Sequence, residues 1–232
     1  MYARFKVVGF GLVIAGLVFV GIGGYTYTRA DAGAKSLAAF SAAQDVKLAY
    51  NDQGQLTDRG ETAGAEKIMS LLVNDWGYTP DPAELNPNDP TVNTASEYMY
   101  QMAVIAYHTL NGTQTVVLPE TVTTDKGEVF EAGTYEIPVA GRYWSDFDRT
   151  NPLDAKVREQ AWTGTAHALI ANLGVGSVTA SALQMGLGIA ALAAALGAVL
   201  ILAGVGVIWA ARPVTVPATA KATERAAVPA SI

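Results

Sequence analysis

Apolar positions fall into two long runs near the ends of the chain, with a mixed stretch between them. The first run, VVGFGLVIAGLVFVGIGGYTY, covers residues 7–27 without a charge. At 1.5 Å of rise per residue its 21 residues match the roughly 30 Å of a bilayer core, which predicts a transmembrane helix. A secretory signal peptide is the rival reading, with Arg4 and Lys6 as its basic start and Ala30-Asp31-Ala32 as a loose cleavage site. The run exceeds the roughly 7–15 residues of a signal-peptide core, which favours an uncleaved anchor.

The second run is longer still. No Asp, Glu, Lys or Arg stands between Glu159 and Arg212, a stretch of 52 residues, more than one crossing needs. Within it residues 183–211 predict the span, with Trp209 at an interface and Arg212 as its stop. Residues 160–182 include Thr163, Thr165, His167, Asn172 and Ser177 and read as a helix running into the span, in the bilayer or above it.

Between the runs the period of the pattern changes twice. Ile68, Met69, Leu71, Leu72 and Val73 predict a short amphipathic helix over 61–75, and four prolines in TPDPAELNPNDP make 79–90 a loop. A second helix is expected from Thr94, with Glu97 completing a capping box, through Tyr98, Met102, Ile105 and Leu110 to Asn111-Gly112. TQTVVLP, EVFEAG and TYEIPVAG then predict two or three short antiparallel strands between residues 113 and 140. Asn151-Pro152 signals a further helix continuing through Leu153, Val157, Ala161 and Trp162 toward the charge-free region. The fold class expected is an α+β membrane protein, in which two transmembrane helices flank a mainly helical extracytoplasmic domain with a small antiparallel β insertion. Its boundaries are a cytoplasmic start at 1–6, spans at 7–27 and 183–211, the domain at 28–182, and a disordered cytoplasmic tail at 212–232.

Charge sets the orientation. Arg4 and Lys6 precede the first span and Arg212, Lys221 and Arg225 follow the second, against Glu224 alone, so both termini are expected in the cytoplasm of a plasma-membrane protein. Residues 28–182 hold 20 acids and 10 bases, which argues against a nucleic-acid partner, since phosphate neutralisation requires Lys and Arg. Neither span carries an ionisable residue, which weighs against a channel or proton relay. Both are rich in small residues, and Gly9, Gly16, Gly186, Gly197 and Gly204 are candidate helix-packing positions, where backbones approach closely in lipid. They fit a hairpin of the two spans, self-association, or docking of another membrane protein.

The search for chemistry returns little. The chain has no cysteine, which removes disulfides, thiolate metal sites and iron–sulfur clusters. Its two histidines, His108 and His167, lie on separate helical segments, and no HExxH, GxSxG, GxGxxG or P-loop pattern is present. An EF-hand loop begun at Asp146 would need Gly at its sixth position and Glu at its twelfth, where Asn151 and Val157 stand. No catalytic residue, cofactor or metal is therefore expected. Tyr143, Trp144, Asp146, Asp148 and Asp154 remain as a candidate ligand or partner surface.

The segment GRYWSDFDRTNPLDAKVREQAWTGTAHALIANLGVGSVTASALQMGLG, residues 141–188, resembles a group of uncharacterised actinobacterial membrane proteins. In them a Gly-aromatic element is followed by an acid, an Asp-Pro-like helix start and a small-residue helix entering a Met-Gly-rich span; here Asn151-Pro152 replaces the Asp-Pro. The resemblance implies a two-span protein with an extracytoplasmic domain. The expected function is that of a non-enzymatic accessory or interaction subunit of a cell-envelope complex, and the alternative is an envelope ligand-binding protein or hydrolase using the domain's acids and aromatics.

Overall fold

A computed structural model describes residues 2–212; the expected disordered tail, from residue 213 on, lies outside the described residues. The fold is mixed, mainly helical with small antiparallel β ladders, and divides into two compact units. One holds the described residues through Ala30 and from Gly186 onward, the other Asp31–Met185.

Two helices are long and apolar enough to cross a membrane: α1, Tyr2–Gln44, and α5, Gly164–Ala210. Neither has a break. α1 runs 17 residues past Tyr27, because the Ala-rich sequence after Arg29 contains good helix formers and no proline until Pro80. Their side chains are mostly exposed in the first unit. The buried positions there are Gly9, Gly16, Gly23 and Ala30 on α1, and Ala190, Gly197, Gly204 and Ala211 at the end of the chain's second run. All are small, and on each strand of the pair they recur every seventh residue.

The second unit is built around α3, Ala95–Leu110. Its capping box forms as the sequence requires: the Thr94 hydroxyl accepts from the Glu97 backbone N–H, and the Glu97 carboxylate accepts from the Thr94 N–H at 2.9 Å. The face turned to the core is rotated from the expected one. Tyr100, Ala103 and Ala106, spaced by three along one face, are fully buried while Met102 and Ile105 are only half-buried. α2, Thr62–Ser70, packs on α3 and ends in a π-helical turn, Leu71–Asp75, that the sequence does not announce.

Four strands form where two or three were expected. β1, Thr113–Leu118, pairs antiparallel with β4, Gly133–Pro138, in the register Val116 opposite Tyr135. β2, Val122–Thr123, and β3, Val129–Phe130, make a second short ladder closed by the Gly127 turn at φ 82°. α4, Pro152–Ala161, starts at the Asn151 cap. The expectation that it runs through Trp162 fails: the helix stops at Ala161, and α5 begins at Gly164. The Trp162 indole is buried in a core with Val116, Val139, Phe147 and Val157, and its Nε1 donates to the Arg142 carbonyl at 3.1 Å. That tertiary anchor fixes a non-helical backbone which local propensity does not foresee.

Candidate functional site

The five side chains singled out as a surface in the second unit come together on the turn after β4 and the start of α4. Ala140 and Gly141 both take left-handed backbone, φ 53° and 76°, turning the chain so that Arg142 faces inward. Its Nη1 donates to Asp154 Oδ1 at 2.8 Å, its Nε to the Val139 carbonyl at 3.0 Å and its Nη2 to the Pro138 carbonyl at 3.1 Å. The guanidinium also lies over the Phe147 ring, 4.3 Å from its centroid. Sequence reasoning missed Arg142 as the organiser of this turn, because Arg149 stands nearer the same acids in the chain and nothing local says which of the two bases turns inward.

The acids serve the same turn. Asp146 accepts from the Tyr143 N–H at 2.8 Å, and Asp148 accepts from both the N–H and the hydroxyl of Thr150, at 2.8 and 2.7 Å. The Thr150 hydroxyl, then its N–H, hold the Asp148 carboxyl below the usual range. Asp154 accepts from the Asp148 N–H as well as from Arg142. Each carboxylate is thus a backbone or loop acceptor, and among the described residues no group of three or more His, Asp or Glu side chains is placed to hold a metal ion.

The aromatic side chains form a layer beside these acids. Tyr143 stacks on Trp162 with centroids 5.7 Å apart, and Trp76 Nε1 donates to its hydroxyl at 2.9 Å. Trp144 meets His167 edge-on at 5.1 Å and carries the Arg158 guanidinium 4.2 Å above its ring. Tyr143 and Trp144 keep 38% and 37% of their surface exposed, so the layer presents two aromatic edges to solvent. His167 is held by Trp144, Trp162 and the Thr163 carbonyl, and the other histidine, His108, pairs with Asp58 at 2.9 Å. The two histidines belong to different clusters.

Under α3 lies a buried polar group. Glu97 and Tyr100 are each 1% exposed. Burial raises the Glu97 pKa, with donors on Asn93 and Thr94 opposing it. Burial also pushes the phenols up, Tyr50 to about 12 and Tyr100 further, with the Glu97 and Asp58 charges adding to the effect.

In the first unit the candidate helix-packing glycines are placed as follows. A Cβ on Gly9 would lie 2.8 Å from the Gly204 carbonyl oxygen, one on Gly16 2.6 Å from that of Gly197, and one on Gly23 2.9 Å from that of Ala190. These are distances no side chain tolerates, so hydrogen is the largest substituent that fits. Gly186 differs, since a Cβ there would sit 3.3 Å from the Ala30 methyl, a tight contact rather than a clash. Gly23 and Ala190 complete the pattern; their seven-residue spacing from Gly16 and Gly197 was the signal in the sequence.

A groove in the second unit was not foreseen. It has a volume of about 600 Å³, and its walls come from residues 37–44 of α1 with Val46 and Val92 beside them, from α3 and from residues 169–179 of α5. Sequence reasoning lacked any cue for it, because the three segments are far apart in the chain.

No protein-family model, curated protein or solved structure matches the chain.

Proposed function

We propose that the chain is a two-span plasma-membrane protein of the kind its resemblance implies, with both termini cytoplasmic. Its acidic extracytoplasmic domain acts as a non-enzymatic accessory or interaction module of a cell-envelope complex. The observation that carries this reading is the pairing of α1 with α5 through close-set small residues flanked by Val13, Val20, Ile201 and Ile208, which leaves large apolar side chains such as Phe10, Leu17, Leu192 and Leu202 exposed. An outer surface of that kind is unfavourable in water and suited to lipid tails. The glycines of α1 bear on the first run too, because cleavage after it would remove the partners of Gly197 and Gly204. Supporting the non-enzymatic part, Asp146, Asp148 and Asp154 are committed to shaping a loop.

A reporter fused after Gly127 in the full-length protein is expected to read extracytoplasmic, and a cytoplasmic signal overturns the topology. Purification of the C-terminally tagged chain in mild detergent is expected to bring down a stoichiometric membrane protein. A chain that purifies alone overturns the accessory role and favours the ligand-binding alternative, to which the groove gives a specific basis.

A further inference from the structure

We propose that the groove walled by α1, α3 and α5 is a binding site for a single acyl chain of a membrane lipid. This rests on the membrane reading above. The groove's apolar surface comes from Leu37, Phe40, Ile105, Leu169, Leu173 and Val175. Its few polar groups are uncharged. Ser41 and Tyr98 are already bonded to each other at 2.7 Å, and Ser41 donates to the Leu37 carbonyl, so neither asks for a ligand group. Gln44, Gln101 and Asn172 supply amides without charge. The floor is tight, since a Cβ on Gly176 would lie 2.7 Å from the Tyr98 ring; glycine there lets the two walls meet.

Charge selects the occupant. Residues 28–182 carry 20 acids and 10 bases, yet no residue lining the groove is charged, so an ionic ligand or a charged peptide finds no partner there and an alkyl chain meets no penalty. Size selects between an alkyl chain and a docked helix. A helix about 10 Å across fills roughly 400 Å³ per 5.4 Å turn, so 600 Å³ holds little more than one turn. At about 30 Å³ per water-sized unit the same space takes roughly twenty such units, the scale of one long acyl chain. The volume is also within the roughly 300–1,000 Å³ of small-molecule sites. Two of the three walls belong to the helices that carry the apolar runs: Leu37 follows Tyr27 on α1, and Leu173 precedes the 183–211 stretch on α5, in each case with no break in the helix.

The test uses the full-length protein in phosphatidylethanolamine–phosphatidylglycerol nanodiscs doped with a phospholipid bearing a diazirine near the end of its palmitoyl chain. After irradiation, adducts are mapped by peptide mass spectrometry. Adducts are expected within 37–46, 98–105 and 169–179 as well as within 183–211. Val175, 66% exposed on the groove wall, is replaced in Val175→Trp to fill the groove; groove adducts are expected to fall about tenfold while those in 183–211 stay constant. Val178→Trp, at an exposed position outside the groove, is expected to change neither. Adducts confined to 183–211 overturn the acyl site and leave the membrane reading standing, whereas adducts in neither region overturn both. Groove adducts undiminished in Val175→Trp also overturn the site. So does a photo-crosslinking residue at 175 that captures a second copy or another polypeptide in place of lipid.

Discussion

Gly16 and Gly197 approach each other so closely that a Cβ on either would stand 2.6 Å from the carbonyl oxygen of the other. Replacing Gly16 or Gly197 by Leu must therefore push the two helices apart. We expect a loss of about 1–3 kcal/mol, the range for overpacking a close contact, read as a lower melting temperature in detergent. Gly11→Leu, on the open side of α1 where a Cβ meets nothing within 4 Å, is the matched control and is expected to melt like the parent protein. Equal losses at the two sites would sink the hairpin.

Thr94→Ala removes the hydroxyl that accepts from the Glu97 N–H and should cost about 1 kcal/mol. Thr94→Ser keeps the acceptor and is expected to restore most of that loss. Chemical denaturation of the pair, followed by circular dichroism, separates the cap from the methyl group.

Two buried or half-buried glutamates shift stability in opposite directions with pH. For Glu84, burial works to raise the pKa but is outweighed by hydrogen bonds from Ser96 and Gln184, and the net value falls below the ordinary 4.5. Its contribution is full above 4.5 and is lost as pH drops through the folded value. Glu97, raised above 4.5 by burial, contributes fully below 4.5, and that contribution is lost as pH climbs through its folded value. Melting curves between pH 3 and 7 in steps of about half a unit are expected to show a shallower acid limb in Glu84→Gln and a gain toward neutral pH in Glu97→Gln. The reverse assignment would refute both environments.

Asp154→Ala strips Arg142 of its partner and the Asp148 N–H of its acceptor. The pair is partly exposed, so we expect a loss of about 1.5 kcal/mol. Trp144 lies on that turn and Trp162 packs against it through the Arg142 carbonyl and the Tyr143 ring, so their fluorescence should report loosening there. Asp146→Ala, which frees only the Tyr143 N–H and a weak Ser145 contact, is expected to lose less.

Features decided by a few neighbouring residues were legible in the sequence. The Thr94–Glu97 box and the Asn151-Pro152 start both form because a cap needs only a side-chain oxygen and the next N–H groups. The apolar runs were legible as well, since length and lack of charge are local properties. The stop at Ala161 was not, because it depends on where the Trp162 indole finds a core. The burial of Tyr100, Ala103 and Ala106 ahead of Met102 and Ile105 on α3 has the same origin: helical spacing marks a broad face, and neighbouring elements decide which part of it is covered. At the candidate surface, the nearness of Tyr143, Trp144 and the three acids in the chain was visible, while the pairing of Arg142 with Asp154 depends on a left-handed turn at Ala140 that no local preference favours.

The seven-residue recurrence of small positions on α1 and α5 also governs how the two helices can slide. Displaced by one residue, the pair would set Val205 against Gly9 in one direction, or Leu196 against Gly16 and Ile189 against Gly23 in the other, where backbone carbonyls now sit. Displaced by a full heptad, about 10 Å of rise, Gly9 would face Gly197 and Gly16 would face Ala190, restoring two of the three notches. The helix pair therefore works as a vernier with coarse graduations, held at one mark and separated from the next by a step too large for thermal jitter to cross gradually.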